Sequence, residues 1–162
     1  MATKYVVVAL EEVSLPTVAG QALKVLRVNA GETALEFAAA GGSGGVRSVS
    51  AQFGGPGGSI SANDTVWVRV PYSGTITKVS LLADASGSIV VDIWKDTYAN
   101  YPPTVADTIC AAAKPTLSSA NKSEDSTLTG WTTAVTAGDV LKFNVDSVSG
   151  LTQVALLLEI TP

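Results

Sequence analysis

The chain has 162 residues and a mass of 16.5 kDa; 46% of it is apolar, only 15% is charged, and 10 Lys plus Arg face 14 Asp plus Glu, a net charge of −4. That length suits one compact domain with an appendage, and an acidic chain without a basic stripe argues against a nucleic-acid partner. With no histidine and one cysteine, the composition excludes Ser-His-Asp and Cys-His catalysis and any intrachain disulfide.

In chain order, Tyr5-Val6-Val7-Val8-Ala9-Leu10 follows Lys4 and is stopped by Glu11-Glu12. The run is too short for a signal core or a bilayer span and reads as one strand, so no membrane insertion is expected. Without an export signal, the expectation is synthesis and assembly inside the producing cell. A second apolar segment runs from Leu15 to Val28, Asn29-Ala30-Gly31-Glu32 turns the chain, and Ala34-Leu35-Glu36-Phe37 alternates briefly. Strands this short expose too little apolar area to offset their ordering entropy, so residues 1–40 should bury their apolar positions on a partner or on copies of themselves. The positions concerned are Tyr5, Val7, Leu23, Val25, Leu26, Val28, Leu35 and Phe37.

Glycine then dominates, in Gly41-Gly42-Ser43-Gly44-Gly45 and again in Gly54-Gly55-Pro56-Gly57-Gly58-Ser59. Neither stretch has the Lys-Ser/Thr of a phosphate-binding loop or the spacing of a dinucleotide fingerprint, so residues 41–60 read as a flexible linker. Residues 1–60 hold four basic and four acidic side chains, which places the whole −4 in residues 61–162.

From residue 61 the pattern is one of short strands and turns. Val66, Val68 and Val70 alternate with Trp67 and Arg69; Val79 and Leu81 share a face; Ile89, Val91 and Ile93 alternate with Asp92 and Trp94. The turn residues Ala83 to Ser88 predict a hairpin between the last two runs. An irregular connection, Asp96 to Thr104, carries Tyr98, Tyr101 and two prolines; a strand or short helix is expected at 108–113, and Ser118 to Ser126 is a polar run. At the C-terminus Leu141, Phe143 and Val145, then Val154, Leu156, Leu158 and Ile160, repeat the period of two, with Ser147 to Gly150 as turn between them. The predicted class is all-β: an antiparallel, jelly-roll-like sandwich over 61–162, preceded by an extended N-terminal anchor and the glycine-rich linker.

Three groups of side chains offer chemistry. Asp84, Asp92 and Asp96 gather around one predicted turn, and two carboxylates beside Trp94 are what a glycosidase uses; the plainer reading is a solvated outer strand face. Calcium at Asn63-Asp64 or among these aspartates lacks the alternating acidic loop, so no metal and no cofactor is expected. Cys110, flanked by small apolar residues, reads as a buried, inert thiol. Trp94, Tyr98 and Tyr101 are the candidate ligand-binding residues, because exposed aromatics stack on sugar rings; Trp67 and Trp131 are expected to fill the sandwich.

Two regions carry a family resemblance. Gly20 through Phe37, GQALKVLRVNAGETALEF, is similar to a short repeat of phage tail-fibre N-terminal regions. Residues 74–160, with VDIWKDTYANYPPTVADTI, KPTLSSANKSEDSTLTGW and AGDVLKFNVDSVSG, resemble a small domain of bacteriophage and prophage virion proteins. The resemblance implies a non-enzymatic virion appendage, a small tail-fibre-like, head-fibre or decoration protein, that forms a homotrimer. Its partners would be other virion proteins of capsid, tail or baseplate, and its place the virion surface after synthesis in the host cytoplasm. The eight apolar positions of residues 1–40 would then be virion-anchoring, and the outer domain would touch host-surface glycans. The rival expectation is a monomeric carbohydrate-binding module of a larger glycan-active system.

Overall fold

The computed structural model describes residues 24–28, 35–39 and 45–162, and the chain divides into two units, Met1–Ser43 and Gly44–Pro162. In the first unit β1 (Lys24–Val28) and β2 (Leu35–Ala39) form an antiparallel two-stranded sheet, with Leu26 opposite Phe37. Val25, Leu26 and Val28 fall on β1 and Leu35 and Phe37 on β2; Tyr5, Val7 and Leu23 lie outside the described residues.

The second unit is all-β. Its strands are β3 (Arg47–Gly54), β4 (Thr65–Arg69), β5 (Gly74–Asp96), β6 (Thr116–Asp125), β7 (Ala134–Val135), β8 (Val140–Ser149) and β9 (Gln153–Thr161). They build one antiparallel sheet in the order β3-β9-β5-β8-β4, with β6 and β7 on the other edge of β5. The sheet curls into a nearly closed, sandwich-like shell, as the expected fold class required.

The organising element is β5, 23 residues long. Its first half pairs with β9 (Thr75 opposite Thr161 to Ala83 opposite Val154) and its second half with β8 (Ser88 opposite Ser149 to Asp96 opposite Val140). β8 and β9 therefore run on, one after the other, along β5. Both expected hairpins are corrected here: Ala83–Ser88 and Ser149–Thr152 are matched bends in one continuous ribbon, and neither reverses the chain. Asp84 fastens the bend, accepting hydrogen bonds from the backbone N–H of Thr152 (3.3 Å) and Gln153 (3.1 Å) and from the Thr152 hydroxyl. Gly87 permits the close approach, since a Cβ there would stand 2.6 Å from the Ser149 carbonyl oxygen and 2.6 Å from Leu151.

The bend lets the two halves enclose a single core. Ile76, Leu81, Ile89, Val91 and Ile93 of β5 meet Leu141, Phe143 and Val145 of β8 and Val154, Leu156, Leu158 and Ile160 of β9, all within 1% of fully buried. The spacing of three from Ile76 to Val79 breaks the period of two, and a bulge explains it. Ile76 faces Ile160 and Lys78 faces Glu159, so Thr77 is the extra residue and the inward parity flips.

Residues 41–60 need correction as a linker. Arg47–Gly54 forms edge strand β3 on β9, and its alternation buries Val49, Ala51 and Phe53 while Ser48, Ser50 and Gln52 face out. The sandwich thus begins well before residue 61. Tyr72, just past β4, donates its hydroxyl to the Ser48 carbonyl (3.0 Å) under the Arg47 guanidinium, tying the end of β4 to β3.

The connection from Thr97 to Pro115 holds two 3-10 turns, Tyr98–Asn100 and Val105–Asp107, and the Tyr101-Pro102 peptide is cis. No strand or helix forms at 108–113. Thr108 instead makes an isolated bridge to Trp94, and Ile109 donates its N–H to the Ile93 carbonyl. The polar run after Ser118 falls mostly within β6, where Leu117 is buried in the core, Ala120 packs against it, and the charged positions remain outside the core.

Cys110 is buried beside this segment, and burial pushes its thiol up to about 12. A neutral, enclosed thiol is a poor nucleophile. The folded protein is expected to leave a disulfide reagent unreacted at pH 8, with one thiol appearing on unfolding; rapid labelling of the native chain would contradict the packing.

Candidate ligand-binding face

The outer surface of the β4–β8–β5 half carries a row of large side chains. Trp67 of β4 and Trp94 of β5 both stand opposite Lys142 of the intervening β8, so the three lie side by side across the strands. The Lys142 ammonium sits 4.4 Å from the Trp94 ring centre and 5.7 Å from that of Trp67. Two residues along β4 on the same face, the Arg69 guanidinium lies 4.8 Å over the Tyr98 ring. Each contact places a cation against the negative face of a π-system.

Trp67 is 47% exposed and Tyr98 64% exposed, so both offer ring area to solvent. The expectation that Trp67 fills the sandwich is corrected: Val66 and Val68 take the inward positions and strand parity sends the indole out. Trp131 does pack against the core, and its indole N–H donates to the Ala113 carbonyl at 2.8 Å.

Of the three candidate binding residues, Trp94 and Tyr98 belong to this face. Trp94 is half-buried within the row, and Tyr98 rises beside Arg69 from the first 3-10 turn. Tyr101 is 52% exposed at the end of that turn. No interaction of its side chain with the row is recorded among the described residues, so nothing assigns it to the same site.

Beside the row, two residues along β5 and β8 on the same face, lies a polar network. Asp92, 1% exposed, accepts hydrogen bonds from the Thr108 hydroxyl (2.6 Å) and the Ile93 N–H (2.9 Å), with the Lys114 ammonium 2.9 Å away. Lys114 also pairs with Asp146 at 2.7 Å, and Asn144 donates to the other Asp146 oxygen. Burial works to raise the Asp92 carboxyl, but Thr108, the Trp94 indole and the nearby Lys114 outweigh it and hold the group below its ordinary range. The Trp94 N–H itself is buried without a well-formed hydrogen bond and acts on Asp92 from a less favourable geometry. Lys114 is raised, first by its hydrogen bond to Asp146 and then by that to Asp92.

The aspartates weighed as a glycosidase pair are each committed to structure. Asp92 is paired as above, Asp96 caps the first 3-10 turn through the Thr97 N–H (2.6 Å) and the Asn100 amide (3.1 Å), and Asp84 holds the ribbon bend. Asp64, weighed for calcium, caps its own turn by accepting the Ser61 N–H at 2.8 Å.

Compared with known proteins, the sequence matches no family and no curated protein. Among solved structures it is similar to a chain in the structure of infectious bursal disease virus Gx strain, at 10% identity and a TM-score of 0.28. That likeness covers 85% of this chain but only 37% of the viral one, and no argument rests on it.

Sequence reasoning missed Arg69 and Lys142 altogether. Each is an isolated basic residue in an alternating strand, and only the cross-strand register brings them onto aromatic rings. The available signal was parity: Trp67 and Arg69 share one face of β4 because Val66 and Val68 take the other.

Proposed function

We propose that the chain is a non-enzymatic structural component of a phage particle, a small fibre or decoration protein. It docks through its N-terminal hairpin on capsid, tail or baseplate and carries its sandwich outward on the virion surface, in contact with host-surface glycans. The observation that supports this reading is the contrast between the two units. The second has its own buried core and sheet, whereas the described part of the first is a two-stranded sheet of five-residue strands. Such a pair is marginal in water and gains most by adding strands or apolar cover from another chain. The phage-like stretch from Gly20 to Phe37 covers β1 and the first three residues of β2, and the other resembling pieces fall on β5, β6, β8 and the connection between β5 and β6.

A homotrimer is part of the proposal, since a closed ring of copies would cover the hairpin's apolar positions. Purified full-length protein should then weigh roughly 50 kDa by light scattering, three times 16.5 kDa. Removal of residues 1–43 should leave a folded, cooperatively melting sandwich that is no longer incorporated into particles. Undiminished incorporation of the truncated protein would refute the anchor. The exposed Trp67, Tyr98 and Tyr101 favour one alternative, a carbohydrate-binding module, which predicts a monomer whose truncation leaves sugar binding intact.

A further inference from the structure

Some basic residues of the sandwich are paired with carboxylates and others are not: among the described residues Arg47, over the Tyr72 ring, and Lys122 have no carboxylate within salt-bridge distance. Lys78, Lys95 and Lys114 are each paired with carboxylates. Arg69 and Lys142 have no carboxylate within salt-bridge distance among the described residues and lie against aromatic rings instead. Arg69 faces Val140 and Trp67 faces Lys142, so the two cations are diagonal neighbours on β4 and β8. That geometry separates their backbones by roughly 7 Å. Two unneutralised cations so close together are unexpected in an acidic protein.

The nearby acids do not cancel them. Asp139 is 8% exposed and turned onto the Thr136 N–H (2.9 Å) and Lys95 (3.6 Å), and Asp96 is spent on its turn. Beside Arg69 opens a shallow cleft of about 360 Å³, lined by Arg69, Val70, Pro71, Ala137 and Gly138. Gly138, whose φ of 100° favours glycine, lines the cleft beside the Arg69 guanidinium. The Arg69 guanidinium, held 4.8 Å over the Tyr98 ring, carries a planar fork of N–H donors that can take a carboxylate at two points.

We infer that the face formed by Trp67, Arg69, Tyr98 and Lys142 binds a carboxylated sugar of an acidic surface polysaccharide. Arg69 takes the carboxylate at the cleft, the exposed Trp67 or Tyr98 ring supports the pyranose, and Lys142 meets the next anionic unit along the chain. The inference rests on the glycan-contact part of the proposed function and is independent of the anchor.

The test uses the full-length protein, isotope-labelled for indole resonances. Trigalacturonate and sialyllactose are titrated against the neutral galactotriose and lactose at about 50 and about 500 mM NaCl, which spans weak and strong screening. The expected result is a shift of the Trp67 indole signal and quenching by the carboxylated sugars alone, weakened at high salt. Arg69→Gln should weaken that binding about tenfold or more, the loss of a charge-assisted contact, while the melting temperature stays put. Trp67→Thr serves as a second variant with a strand-compatible side chain.

Binding unchanged by Arg69→Gln, or no binding of either carboxylated sugar, overturns the inference. Equal binding of the neutral sugars also overturns it, yet leaves the glycan-contact reading standing. The particle-incorporation experiment decides the virion reading separately.

Discussion

Phe143→Ala should lower stability by about 4 kcal/mol, the usual cost of deleting a fully buried aromatic ring whose surroundings cannot collapse. Phe143 has no exposed surface and lies on the central strand β8, with Val66 of β4 on one side and Ile93 of β5 on the other. It is the largest of the fully buried side chains, and β8 is held on both edges by ladder hydrogen bonds, so the sheet has little freedom to close the void. The melting temperature should fall by on the order of 15 °C. Urea denaturation followed by tryptophan emission suits the measurement, because Trp67 and Trp94 sit on the outer face of the two strands flanking that ring. A loss below about 1 kcal/mol, the range of a surface change, would mean that β4 does not cover the ring.

The second large effect concerns the network beside the aromatic row. Lys114→Met should destabilise the protein by about 3 kcal/mol at pH 7, because it strands the buried Asp92 carboxylate without its cation. The low end of the range applies since Lys114 is 30% exposed and water screens part of the pair. Asp146→Asn should cost far less, as Asp146 is 31% exposed and Lys114 keeps Asp92.

The pH dependence separates this from a simple packing defect. In the wild type the Asp92 carboxyl is held below its ordinary value of 3.8, so its contribution is present above that pH and is lost as pH falls through the folded value. Lys114 is held above 10.5, so its contribution is present below that pH and is lost as pH rises through the folded value. In Lys114→Met, Asp92 loses the cation's share of that lowering while burial continues to favour the neutral acid. The difference between wild type and variant should therefore be greatest near neutrality and shrink towards pH 3. A difference independent of pH would assign the loss to packing around the lysine stem.

What local sequence reveals here depends on whether the pattern needs a partner to interpret it. The alternation of Val154, Leu156, Leu158 and Ile160 is legible because a half-buried strand has one parity wherever it pairs, and all four are buried. Val49, Ala51 and Phe53 carry the same signal, but the glycines on either side of them read as linker and hid it. The residues from Ala83 to Ser88 can reverse a chain or merely bend it; the pairing of β5 with both β8 and β9 decides between these, and pairing is a long-range property. The candidate face is half legible in the sequence. Trp94 and Tyr98 stand out as aromatics, whereas Lys142 and Arg69 acquire meaning only from the strands that lie next to them. Trp67 was misjudged because its size suggested a core filler, although its own strand's parity already pointed it outward.

The order in which β5 acquires its neighbours has a consequence for vectorial synthesis. Every strand that pairs with β5 lies after it in the chain, and β3 has to wait for β9, which ends at Thr161. A nascent chain emerging from the ribosome therefore presents β5 with one edge bare until β6 has followed it and the other bare until β8 and β9 have done so. Long-range pairing of this kind is slow and exposes unpaired edges in the interim. Chains stalled before β9 should accordingly be found with chaperones or in inclusion bodies, and removing β9 should be more damaging than removing residues 1–43.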